Sequence, residues 1–254
     1  MSSPATPGTA PAATPGGRST PGYGRADEKG GVPADLDDAR LDRLAELIAT
    51  SLHNLVSRRD RDRVRSVHVA ESYAVGEVLA PAGGARWLDL GTGGGLPGLV
   101  LALRYPSTTW TLIDSTAKKV AEVARFAAVL ELENVRTVHG RAEELAWDAQ
   151  HRGTYDGLVS RAVAVLPVLL ELGRGFLRDG GTLAAIKGPR LQEEIAAAER
   201  ARFSLALGPI HRYPLLAEGR ATTVVTMRAQ GPPPRRYPRS TGIPAATPLG
   251  GAGR

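Results

Sequence analysis

The chain has 254 residues, 42% of them hydrophobic, which suits one sizeable α/β domain with extensions. Cysteine, His-x-x-x-His and His-Glu-x-x-His are all absent, so disulfides and thiolate metal sites are excluded and no metal site is expected. The net charge of +6 and pI near 10.0 point to a polyanionic partner, and no apolar run approaches the roughly 20 residues of a membrane span, so a cytoplasmic protein with no membrane partner is expected.

Residues 1–34 are dominated by Ser, Thr, Pro, Ala and Gly and are expected to be a disordered tail. An N-terminal helical region follows over 35–82. There Leu41, Leu44, Leu47, Ile48 and Leu52 mark one helix face, which Asp37 or Asp38 can cap. Arg58, Arg59, Arg61, Arg63 and Arg65, diluted by Asp60 and Asp62, read equally as a solvated face or as an RNA contact. Val75, Val78 and Leu79 predict a short helix before the first strand.

Residues 83–228 carry the main domain, which begins at a glycine loop. Trp87, Leu88 and Leu90 form a short apolar run that stops at a glycine cluster, and Leu96, Val100, Leu101 and Leu103 then recur at helical spacing. This predicts strand, tight turn and helix, with Pro97 in the first helical turn. Such a turn brings backbone N–H groups close to a ligand, and the helix N-terminus favours an anion. Two registers compete. Gly93, Gly95 and Gly98 satisfy G-x-G-x-x-G, with Asp114 21 residues beyond Gly93, the fingerprint of a dinucleotide site. Read from Asp89 through Gly91, Gly93 and Gly95, the loop is instead the Asp-x-Gly-x-Gly-x-Gly pattern of S-adenosylmethionine-dependent methyltransferases.

Beyond the loop, strands are predicted at 110–113, 135–138, 157–160 and 182–186, separated by helices. Ser115 caps the first of these helices, whose apolar face is Val120, Val123, Phe126, Ala127 and Leu130. Another runs from Arg161 through Leu172 with an interruption near Pro167, and a third covers 191–202. Segments 204–215 and 222–227 predict a closing antiparallel pair. The alternation predicts a mostly parallel sheet with helices on both faces, whose ligands bind at the carboxyl ends of the strands. Gly91, Asp114, Ala142, Glu143, Arg161 and Lys187 all fall at that edge.

The residues resemble the bacterial small-subunit ribosomal RNA guanine-N7 methyltransferases, the glucose-inhibited division protein B family. The matching pieces begin with Asp89-Leu-Gly-Thr-Gly-Gly-Gly-Leu-Pro-Gly98, Leu112-Ile-Asp-Ser115 with Lys118-Lys119, and Leu132-Glu-Asn-Val135. They continue with Arg141-Ala-Glu-Glu144, Tyr155-Asp-Gly-Leu-Val-Ser-Arg-Ala162 and Ala185-Ile-Lys-Gly188. The resemblance favours the methyltransferase register. Near the N-terminus, Asn54-Leu-Val-Ser57 and Val67-His-Val-Ala-Glu-Ser72 resemble family segments, with Val67 in place of an arginine and Glu71 in place of an aspartate.

The resemblance implies a Rossmann-like methyltransferase fold with a seven-stranded sheet and S-adenosylmethionine as methyl donor. It implies that Gly91 and Leu96 line the cofactor, that Ala142 and Glu143 lie by its adenine, that Asp114 stands where the ribose hydroxyls are held and that Arg161 borders the cofactor and target; Gly93, from the glycine pattern, is a further cofactor-binding candidate. His68 and Lys187 are candidate RNA contacts. Residues 229–254, with four arginines and no acid, are expected to form a basic C-terminal tail in which Arg235, Arg236, Tyr237 and Arg239 meet RNA. The expected partner is small-subunit ribosomal RNA or the ribosomal subunit, met by a monomer. No residue is assigned a chemical role, because N7 of guanine carries a free lone pair and needs no base to deprotonate it. A non-catalytic RNA-binding protein and an NAD-dependent oxidoreductase are the alternative functions.

Overall fold

The fold is set by strands buried on both faces. In β1 (Arg86–Leu90), Trp87 enters one hydrophobic core while Leu88 and Leu90 enter the other, the period-two alternation of a strand covered on both sides. The same division holds along β2 (Thr109–Asp114), β4 (Tyr155–Arg161) and β5 (Leu177–Lys187). The computed structural model describes residues 38–217 and 220–251. The predicted tail over 1–34 and the Asp37 cap lie outside the described residues.

Seven strands form one sheet in the order β3-β2-β1-β4-β5-β7-β6. With β3 at Val135–His139, the first five strands are parallel; β6 (His211–Ala217) and β7 (Arg220–Arg228) complete the edge antiparallel. The chain runs outward from β1 to β3, then returns to lay β4 on the other side of β1. This reversal opens a crevice at the carboxyl ends of β1 and β4. Toward the amino end of the β1–β4 pair, close packing depends on Gly157, where a Cβ would stand 2.5 Å from the Trp87 ring.

Around the sheet lie α1 (Asp38–Ala49), α2 (Ala70–Leu79), α3 (Gly98–Arg104), α4 (Ala117–Val129), α5 (Ala142–Leu145), α6 (Leu166–Arg174), α7 (Leu191–Ser204) and α8 (Ile243–Ala246). The apolar face of α1 is buried in the same core as Trp87, so the N-terminal helical region is continuous with the sheet domain. The short helix predicted from Val75 is the end of a longer helical run, a 3-10 turn at Arg58–Arg63, a π-helical turn at Val64–Val69 and then α2. Burial of Val64, Val67 and Val69 extends it. The predicted helix from Arg161 instead starts at Leu166. Pro167 takes its first turn, where a missing N–H costs little, and residues 162–165 form a loop.

The C-terminal segment departs most from expectation. It packs on the domain as far as residue 250. Buried Arg174 donates to the carbonyls of Gly231 and Pro232 at 2.7 and 3.0 Å, and burial pushes its pKa down to about 10, which leaves it charged at neutral pH. Arg239 meets fully buried Glu171 through Nε at 2.8 Å and Nη2 at 2.6 Å, and its backbone N–H donates to the same carboxylate at 2.9 Å. Tyr237 is buried. Two of the four side chains expected to face RNA are therefore structural, because an interior acid left alone would carry a large desolvation cost. Arg235 and Arg236 remain exposed.

Candidate cofactor and substrate site

The glycine loop is held from inside by Asp89. This residue is fully buried, and its Oδ2 accepts from Thr92 Oγ1 at 2.8 Å and from the Gly98 N–H at 2.9 Å. Its Oδ1 is buried without a hydrogen-bond partner, and burial pushes the pKa up to about 6 despite Thr92, Gly98 and the Arg161 charge. The loop turns through Gly91, Gly93 and Gly95, at φ of 71°, 56° and 90°, a region that strains any side chain-bearing residue.

Asp114 ends β2 beside this loop. Its Oδ2 accepts from the Gly93 N–H at 3.0 Å and its Oδ1 from the Thr116 N–H at 2.9 Å. Each carboxylate oxygen has a second lone pair, so Asp114 retains one acceptor position per oxygen for a pair of hydroxyls. It opens on a cavity of about 90 Å³ that Gly91, Ala142, Glu143 and the apolar side chains of Ile113 and Leu172 help to line. Burial alone would raise the Glu143 pKa. The Gly242 N–H, its own backbone N–H and Arg141 outweigh that effect and hold the carboxyl below its ordinary range.

A second cavity, of about 630 Å³, lies beyond the carboxyl ends of β4 and β5. Arg161 lines it. One guanidinium nitrogen, Nη1, is 3.2 Å from Glu71 Oε2 and 3.2 Å from His68 Nδ1. Arginine only donates, so His68 Nδ1 accepts and its Nε2 carries the proton, 3.7 Å from Asp60 Oδ2. Thr222 donates to Glu71 Oε1 at 2.6 Å. Among the described residues no protein acceptor meets Arg161 Nε or Nη2, which leaves that edge of the guanidinium for a ligand. Val163 lines both cavities and lies against Gly91, where a Cβ would stand 2.3 Å from it.

The structure thus brings Gly91, Asp114, Ala142, Glu143 and Arg161 to one edge, and Gly93 joins them through its bond to Asp114. Leu96 is packed in the core and lines neither cavity. Lys187 reaches the larger cavity, but its charge is neutralised by Glu194 at 2.7 Å and its Nζ donates to Ala164 O at 2.9 Å. His68 is buried and serves Arg161. Sequence reasoning missed Glu71 as a partner, although its three-residue spacing from His68 puts both on one helical face. Thr222 and Val163 gave no signal, since they reach the site only through the antiparallel edge and the loop over 162–165.

These residues suit an adenosine-type ligand. At Gly93 a Cβ would find nothing nearer than Gly91 O at 3.9 Å, so a ligand can approach the loop backbone. Asp114 matches a ribose diol, and the small cavity offers apolar walls to a base. It is smaller than the several hundred Å³ usual for a whole cofactor, and Val163 joins its wall to that of the larger cavity. The antiparallel β7 inserted between β5 and β6 also differs from the all-parallel dinucleotide fold.

The fold and site define an S-adenosylmethionine-dependent methyltransferase. The same fold is seen in TrmN from Thermus thermophilus, which superposes with a TM-score of 0.52 at 18% identity over 72% of this chain and 52% of that one. The model of the GidB family, rRNA small subunit methyltransferase G, matches residues 39–215, and the chain belongs to that family. A ribosomal RNA small subunit methyltransferase G from Deinococcus radiodurans is 44% identical over 65% of this chain, a match that spans 66% of the relative's length. The corresponding protein of Rubrobacter xylanophilus is 40% identical over 79% of this chain and 78% of its own. Family membership sets aside the oxidoreductase reading.

Proposed function

We propose that this chain methylates N7 of a guanine in small-subunit (16S) ribosomal RNA. The observation that carries the reading is the larger cavity beside the cofactor edge, in which Arg161 presents unengaged N–H groups while its charge is balanced by Glu71. S-adenosylmethionine supplies the methyl group on its sulfonium sulfur. Asp114 and the glycine loop hold that donor, and the Arg161 edge orients an acceptor base by donating to its oxygen. Guanine N7 needs no proton removed, so a site whose Glu71 and Glu194 carboxylates hold Arg161 and Lys187 is chemically sufficient. Alignment of donor and acceptor then supplies most of the acceleration.

The reading carries RNA binding with it, by a monomer in the cytoplasm, where ribosomal subunits are assembled. A-form RNA hides its major-groove edge, so the target guanine is unpaired or opened when it enters the cavity. The names of the family and of its relatives in Deinococcus and Rubrobacter support the substrate. The test is nucleoside mass spectrometry of small-subunit RNA from cells with and without the protein. Loss of one 7-methylguanosine is expected, and unchanged RNA overturns the reading.

A further inference from the structure

The cations expected to meet RNA are largely spent. Arg239 is locked to Glu171, Lys187 to Glu194, and Arg65 to Asp42 at 2.6 Å. Around the larger cavity, however, other arginines are unspent. Ser57 and Asp60, which line its wall, sit at the start of and within the 3-10 turn Arg58–Arg63. On that turn Arg59 and Arg63 are exposed and Arg61 is half-buried, and among the described residues none of the three has an ion pair or hydrogen bond. From the other side, Arg190 lines the cavity just before α7, exposed and likewise without a protein partner.

We propose that Arg59, Arg61 and Arg63 on one side and Arg190 on the other form a phosphate rim around the cavity mouth, gripping RNA backbone on either side of the nucleotide whose base enters. This rests on the RNA reading given above and adds the surface that serves it. Holding these side chains in the free protein at a charged rim, beside exposed Asp62, has no compensating contact in the fold. A polyanion with regularly spaced phosphates is the ligand that satisfies planar guanidinium groups on both flanks of a cavity with room for a base. The acidic partners Asp60 and Glu194 face inward to His68 and Lys187, which leaves the outer rim net positive.

The test is filter binding of the full chain to a small-subunit ribosomal RNA fragment at several salt concentrations. It compares wild type, Arg190→Gln, the triple variant Arg59→Gln/Arg61→Gln/Arg63→Gln, and Arg43→Gln, whose arginine pairs with Glu46 on α1. Each lost phosphate contact lowers the log–log salt slope by about 0.7 on a single strand, so Arg190→Gln should lose about 0.7 and the triple variant about 2. Arg43→Gln should run parallel to wild type, and cofactor affinity should be unchanged throughout. Among the described residues the substituted rim side chains make no hydrogen bond or ion pair, so melting temperatures should stay near wild type. Parallel salt lines for the rim variants, with wild type binding and methylating, overturn the rim alone; so does an equal loss of slope in Arg43→Gln, which would report bulk charge. Absence of both RNA binding and methylation in wild type overturns the RNA reading and the rim with it.

Discussion

The backbone N–H of Gly242 donates to Glu143 Oε1 at 3.1 Å, on the carboxylate that also accepts from Arg141 at 3.0 Å. The C-terminal segment therefore reaches back across 99 residues to hold the short helix α5, whose Ala142 and Glu143 line the small cavity beside Asp114. Thr241 adds a bond to Glu144 at 3.2 Å, and Trp147 Nε1 donates to Pro238 O at 2.9 Å. Cutting the chain after Gln230 should raise the cofactor dissociation constant about tenfold or more, the scale of losing one or two charge-assisted hydrogen bonds around the site. Isothermal calorimetry on the folded truncated protein checks this, and an unchanged constant would show that α5 holds its position alone.

Arg239→Ala should lower stability by about 3 kcal/mol, because it leaves Glu171 fully buried without its partner. For a chain of this size that corresponds to a fall in melting temperature of roughly 6–12 °C. RNA binding should keep its salt slope. A lower slope with an unchanged melting temperature would return Arg239 to the RNA-contacting role that its basic surroundings suggested.

The sequence made the sheet legible because its strands are short apolar runs closed by chemistry-bearing residues. Asp89, Asp114, Arg161 and Lys187 end their strands or stand near the ends, as the β–α alternation required. What it did not reveal is which charges are spent. Arg239 and Arg236 look alike in sequence, and only the position of Glu171 on α6 makes one of them structural. Lys187 and Arg190 are three residues apart, yet Glu194, one helical turn beyond Arg190, neutralises the first and leaves the second exposed. Such pairings depend on tertiary placement, to which periodicity is blind.

Asp89→Asn should change how stability depends on pH. The folded pKa of about 6 lies above the ordinary 3.8, so between those values the folded chain keeps a proton that the unfolded chain has released. Stability from this residue therefore falls as pH rises from about 4 to about 6 and is flat above, a total of about 3 kcal/mol. Asparagine keeps an oxygen for Thr92 and Gly98 but never ionises. Chemical unfolding from pH 4 to 7 should show the variant gaining on wild type across that window. Parallel profiles would mean that Asp89 ionises near its ordinary pKa.

Asp114→Ala should weaken S-adenosylmethionine binding by roughly 1.5–3 kcal/mol, the range for a hydrogen bond to a charged group. Two losses combine. The acceptors for the ribose hydroxyls go, and so does the bond from the Gly93 N–H that fixes the loop on its cofactor side. Asp114→Asn should recover little of this. Its single oxygen can accept from either Gly93 or Thr116, and its NH₂ group must then face the other N–H, donor against donor. Calorimetric titration of both variants with S-adenosylmethionine, alongside wild type, measures the effect. A dissociation constant for Asp114→Asn equal to wild type would remove the carboxylate from the ribose site, since an amide there cannot serve two backbone donors and two hydroxyls together.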